Sequence, residues 1–141
     1  LHTKTVPQGI AAVLSFDETI SADKNHYEMM KAAGRVGTGL ITFAARDSEV
    51  NDQRVRKGEI LGMEEGKITV LEKDPIQAGY KVARRLYKKH QASMVTIYYG
   101  ADSSEAQAEQ LAELIRSRCH DADVSIINGG QPVYYFTIAV E

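Results

Sequence analysis

Asp74-Pro75-Ile76-Gln77 limits what this chain can become more than any other feature, because it fixes a helix start within a sequence rich in strand patterns. Asp serves as N-cap, Pro at the first helical position has its φ already set, and Gln three residues after the cap can complete a capping box. The apolar positions Ile76, Tyr80, Ala83, Leu86 and Tyr87 then form one stripe, with Lys81, Arg84, Arg85, Lys88 and Lys89 largely outside it. Met94 to Tyr99 reads as a strand. Asp102-Ser103-Ser104-Glu105 opens a second amphipathic helix, with Ala108, Leu111, Ala112, Ile115 and Cys119 inward and Glu113 spaced to pair with Arg116. Helices that join strands imply parallel crossovers and hence an α/β fold.

Upstream, Val36 to Ala45 is β-branched and aromatic and reads as a strand, followed by a polar stretch from Arg46 to Lys57. Glu59 to Met63 and Lys67 to Leu71 flank Glu64-Glu65-Gly66 as a hairpin. Downstream, Val124 to Ile127 and Val133 to Val140 are strands joined by Asn128-Gly129-Gly130-Gln131-Pro132, a set of residues suited to tight reversals. The expected architecture is a mixed sheet of about six strands in two layers, with the long helices on one face. Before it, Ser21 caps a helix through about Ala33 whose apolar positions include Met29 and Met30. The nearly unbroken apolar run from Ile10 to Phe16 reads as a buried helix.

Of the 141 residues 43% are apolar and 26% charged, which is ordinary globular composition. A net charge of −2 provides no global field toward nucleic acid or an acidic membrane, and no apolar run reaches the roughly 20 residues a bilayer span needs. One cysteine cannot form an internal disulfide and fits a reducing compartment, so the cytoplasm is expected. Leu1 to Thr5 has neither an initiator Met nor a signal sequence and reads as a cut. The acidic loop Asp17-Glu18-Thr19 is the best seam, dividing residues 1–17, a truncated segment of a preceding subdomain, from an α/β domain over 18–141.

Chemistry is hard to find. Gly37-Thr38-Gly39 lacks the third glycine of a dinucleotide loop and enters a strand rather than a helix. The four histidines have no paired spacing suited to zinc, and Cys119 sits on an apolar stripe. The basic face from Lys81 to Lys89 is either solvated or meets an acidic protein surface. Glu64-Glu65 and Asp121-Asp123 read as solvated turn residues, so no acid/base pair is nominated. Tyr98, Tyr99, Tyr134 and Tyr135 flank Gly100 and the Gly129–Pro132 loop, where an outward tyrosine could anchor a partner.

Val6 to Ala12, Thr38 to Asp47, Arg56 to Gly62, Gly66-Lys67-Ile68, Met94 to Asp102, Gly129 to Tyr134 and Ala139 to Glu141 together resemble, in order, the C-terminal region of the catalytic subunit of bacterial fatty acid kinase, whose family is dihydroxyacetone kinase-like. Asn51-Asp52-Gln53 departs from the Asp-Gly turn this family suggests. The resemblance implies a fold of the DegV and dihydroxyacetone kinase-like type. It also implies a non-catalytic region that docks a fatty-acid-binding subunit of the DegV type, so that an upstream kinase domain can phosphorylate the acyl carboxylate. ATP and magnesium would then be held upstream, with no cofactor and no metal here, and the full-length protein could be a homodimer. Arg46 and Asp47, at the exit of the first strand, and Gly130, Gln131, Pro132 and Tyr134 are the contact candidates; a structural turn is the plain alternative for Arg46-Asp47. A DegV-like lipid-binding domain or a dimerising domain are the other functional classes.

Overall fold

The computed structural model describes residues 1–50 and 52–141. In chain order the elements are α1 (Val6–Leu14), α2 (Ala22–Gly34), β1 (Gly37–Phe43), β2 (Ser48–Val50), β3 (Gln53–Val55), β4 (Ile60–Glu64), β5 (Lys67–Glu72), α3 (Pro75–Lys89), β6 (Met94–Tyr99), α4 (Glu105–Arg118), β7 (Asp123–Asn128) and β8 (Phe136–Val140). Six strands form one mixed sheet in the order β5-β4-β1-β8-β6-β7, and every neighbouring pair is antiparallel except β6 and β7. The last strand of the chain is thus a central one.

Local chemistry explains the helix starts. Asp74 accepts from the Ile76 N–H at 3.1 Å, with Pro75 at the first position of α3. The capping box expected at Gln77 is found instead at α4, where Ser104 accepts from the Gln107 N–H at 3.2 Å and Gln107 accepts from the Ser104 N–H at 3.0 Å. At α3 the Asp74 carboxylate accepts from Ile76, one residue before the Gln77 N–H that a capping box would use. Glu65 and Gly66, at φ 51° and 84°, make the two-residue turn that matches the twist of β4 and β5.

Both long helices lie on one face of the sheet, as their amphipathic patterns require. Ile41, Val70, Ile97, Phe136 and Ile138 meet Val82, Ala83 and Leu86 of α3 and Leu111 and Ile115 of α4 in a continuous core. Val82 approaches β1 so closely that only glycine fits at residue 39. Strand alternation sends Thr38, Ala139 and Tyr98 to the opposite face. There α1 and α2 pack as a helical pair: Ala11 meets Val36, Ala139 and Tyr98, and the Thr5 and Thr38 hydroxyls are 2.9 Å apart.

Four further readings of the sequence are corrected. The first apolar run is a helix, but only Pro7, Ala11 and Ala12 are buried, while Val6, Val13 and Leu14 are 76%, 66% and 80% exposed. The polar stretch after β1 holds a two-stranded arm, β2 with β3, anchored by the buried Val55. Strands of three residues carry too little periodicity to be seen beforehand. The final strand starts at Phe136 and not Val133, because residues 129–134 form a loop, with Gly130 and Val133 at positive φ, whose bonds go to the end of β6, to Thr42 and within the loop and not into a regular ladder. Glu64 is buried on the helix side of the sheet, where Arg85 Nε lies 3.1 Å from its carboxylate, so it is not a solvated turn residue. Lys81 pairs with Glu72 and Lys89 with Glu65, so much of the basic face finds its acidic partner within this chain. The turn reading at Asn51-Asp52-Gln53 falls on Asn51, outside the described residues. No described helix is long and apolar enough to cross a membrane.

Candidate functional site

The strand order creates the site. Because β8 lies between β1 and β6 while β7 lies beyond β6, the chain leaving β7 must cross the end of β6 to enter β8. Residues 129–135 make this crossing, and it brings them beside the exit of β1. The crossing is built from hydrogen bonds. The Gly129 N–H donates to the Tyr99 carbonyl at 3.0 Å, Ala101 N–H to Gln131 at 2.9 Å, Gly100 N–H to Tyr135 at 2.9 Å and Tyr135 N–H to Ile41 at 2.8 Å. Two side chains add to it: Gln131 Nε2 donates to the Tyr98 carbonyl at 3.0 Å, and Ser103 Oγ to the Tyr135 carbonyl at 2.8 Å.

Gly100 permits this approach. A Cβ there would run into the Tyr134 carbonyl oxygen and lie 2.6 Å from that of Gln131, so any side chain would push the loop off β6. Within the loop Gly130 has φ 62°, and so, less ordinarily, does Val133 at 72°. A β-branched residue in the left-handed region is strained and persists only where its surroundings dictate it. Here Thr42 Oγ1 donates to the Val133 carbonyl at 3.1 Å, tying the strained residue to β1. Its side chain remains 54% exposed. Nearby Phe43 is 39% exposed, and its ring centroid lies 6.0 Å from that of Tyr135 in a tilted pair.

The sequence candidates therefore fall at one end of the sheet, but they differ in what they do there. Asp47 accepts from the Lys57 N–H at 2.7 Å and closes the base of the β2–β3 arm. Gln131 is engaged with β6, and Gly130 and the carbonyl of Pro132, which accepts from the Tyr134 N–H at 2.8 Å, shape the loop. Arg46 is exposed and Tyr134 half-buried at the edge. Phe43 and Val133 were not anticipated. What sets them there is a contact between residues 42 and 133, across 91 positions of sequence, which no local pattern encodes.

Two exposed apolar residues, Phe43 and Val133, held at a hydrogen-bonded junction of loop and strand, with the exposed Arg46 three residues beyond Phe43, are suited to recognition. Among the described residues no group of three His, Cys, Asp or Glu is placed to hold a metal ion. Away from this edge, the Asp17 carboxyl is held below the usual aspartate range, first by the Thr19 hydroxyl, which donates to it, and then by the Thr19 N–H.

A family model for the C-terminal part of FakA-like fatty acid kinase subunits matches residues 1–141. Protein YloV of Bacillus subtilis is 32% identical over 141 residues, all of this chain and 25% of that protein. A Staphylococcus haemolyticus protein matches equally, at 32% identity over 100% of this chain and 25% of its own length. The chain thus spans about a quarter of the curated relatives it matches. Among solved structures, a fatty acid binding DegV family protein from Streptococcus agalactiae superposes with a TM-score of 0.59 at 15% identity, covering 95% of this chain and 54% of that one. The Streptococcus pneumoniae fatty acid kinase B3 protein loaded with linoleic acid gives 0.54 at 12% identity, covering 89% and 51%. At such identities the likeness is one of fold, and the fold is the DegV type.

Proposed function

The chain belongs to the FakA-like C-terminal family of fatty acid kinase subunits, and on that premise we propose that it is the docking region for a fatty-acid-binding subunit of the DegV type. The observation that carries this reading is the strained, exposed Val133, bonded to Thr42 on the loop whose Tyr135 pairs with Phe43. Strain of this kind is retained where a side chain must be presented, and a preformed apolar anchor with a charged rim is how a partner surface is built. Docking places the acyl carboxylate at high effective concentration near a kinase domain on the same polypeptide. That domain, not this one, holds ATP and magnesium and transfers the phosphoryl group. The reaction belongs to the cytoplasm, which agrees with a lone, buried Cys119.

Calorimetric titration of the full-length polypeptide with its fatty-acid-loaded partner tests this. Val133→Asp and Arg46→Glu are each expected to weaken binding at least tenfold, or about 1.4 kcal/mol. Absence of heat at high micromolar concentration, or unchanged affinity in both variants, overturns it. A fatty acid copurifying stoichiometrically with residues 1–141 supports instead a lipid-binding domain, the reading that the fold itself allows.

A further inference from the structure

We infer that the outer face of α1 is an internal interface, seated against the polypeptide that precedes this region in the longer members of the family. It rests on family membership and not on the docking proposal, from which it fails or stands separately.

α1 is apolar on both sides. Pro7, Ala11 and Ala12 are buried within the domain, while Val6, Ile10, Val13 and Leu14, spaced i, i+4, i+7 and i+8, form a second stripe facing outward. These four are between 44% and 80% exposed, and Phe16, just beyond the helix, is 57% exposed. A helix that is hydrophobic all round belongs in an interior, and a contiguous apolar patch of this kind marks an unmet partner. The inner side carries small residues that let α1 lie close to α2 and the sheet; the large residues are kept for the outer side. A shallow cleft of about 620 Å³ runs along the stripe, and Lys4 is the one charged residue among those lining it.

The occupant follows from the length and position of the missing partner. Curated relatives match over 25% of their length, and the matched model is that of the family's C-terminal part, so most of a family member lies ahead of α1 in sequence. Thr3, Lys4 and Thr5, which lead into α1, line the same cleft as Val6, Ile10, Val13 and Leu14, so a chain arriving from upstream passes beside the stripe.

Maleimide labelling of the full-length chain tests the assignment, with Leu14→Cys and Val6→Cys at the two ends of the stripe and Glu109→Cys, exposed on α4, as reference. Neither stripe position is packed within this region, so neither substitution disturbs its fold. Both stripe cysteines are expected to react at least about tenfold more slowly than Glu109→Cys and than themselves in guanidinium. Protection below tenfold at both positions overturns the inference. So does protection that vanishes on dilution together with a halving of mass by sedimentation, which assigns the face to a second copy. Protection that appears only after the fatty-acid-binding subunit is added overturns it too, by assigning the face to that partner.

Discussion

Replacing Gly100 with alanine is the most informative single change, because it acts on the loop through a steric cause with a known address. The added Cβ would meet the carbonyl oxygens of Tyr134 and Gln131, both of them backbone atoms that cannot rotate away. Either residues 131–135 lift off β6 or the exit of β6 bends. Lifting the loop breaks the bonds from Gly100 N–H to Tyr135, from Ala101 N–H to Gln131, from Gln131 Nε2 to Tyr98 and from Ser103 Oγ to Tyr135. Two to four such bonds at about 1 kcal/mol each give a loss of about 2–4 kcal/mol. A domain with about 5–15 kcal/mol of stability remains folded, with its melting temperature lowered by about 5–12 °C. Gly34→Ala is the matched control: nothing lies within 4 Å of its Cβ, and helix propensity favours alanine by up to about 1 kcal/mol. Urea unfolding of both variants measures the difference, and titration with the fatty-acid-binding subunit reads the consequence. Gly100→Ala should lose affinity as well as stability, because Val133 is no longer presented. A stability change under about 0.5 kcal/mol would mean that the loop is not held as argued.

Three further outcomes are expected. Arg85→Ala should cost about 1–2 kcal/mol by leaving Glu64 buried without its cation, less than the penalty for a fully buried pair because the Arg85 side chain is 57% exposed; adding Glu64→Leu should recover part of that loss in denaturant unfolding. Gly39→Ala should cost about 1–3 kcal/mol by driving a methyl group into Val82 and to within 3.0 Å of Leu86 Cδ1, and Val82→Ala should then be far less damaging in that background than in the parent, a non-additivity that a double-mutant cycle reads directly. In an NMR titration Asp17 should ionise below the ordinary aspartate range and move back toward it in Thr19→Ala; since the folded form is the stronger acid, whatever Asp17 adds to stability is present above the ordinary value and fades as pH falls through the folded one.

The elements were legible where local chemistry decides them; the loop residues and Arg46-Asp47 could be named from the sequence, but their meeting at one end of the sheet could not be read, because it depends on strand order. Asp74-Pro75 and Ser104 announce helices within a few residues, and the stripes of α3 and α4 already say which side they bury. Six strands could be counted from β-branched runs. Nothing in those runs reveals that β8 enters between β1 and β6, an arrangement set by how the whole sheet closes its core. Glu64 was misread for the same reason: adjacent to Glu65 in a turn it looks solvated, and only the passage of α3 over β4 brings Arg85 to it. The apolar run of α1 was read as a buried helix, and its pattern gave no hint that one side would lack a cover within this chain.

The same topology accounts for why two clusters far apart in sequence reach one edge. Strands β1, β6 and β7 all run toward the end where Arg46 and the 129–135 loop lie, and β8 runs back from it. In open α/β sheets, sites gather outside the carboxyl ends of strands, where successive connections part to opposite sides and leave a crevice. Here the connection from β6 turns into α4 on the helical face, while the connection from β7 doubles back across β6 itself, so the crevice is filled by a loop and not left open. A filled crevice offers a surface in place of a pocket. On the docking proposal, that difference suits the edge to another protein and not to a small ligand. It also makes Gly100 central, since without a close crossing at that residue the edge would open into a cleft.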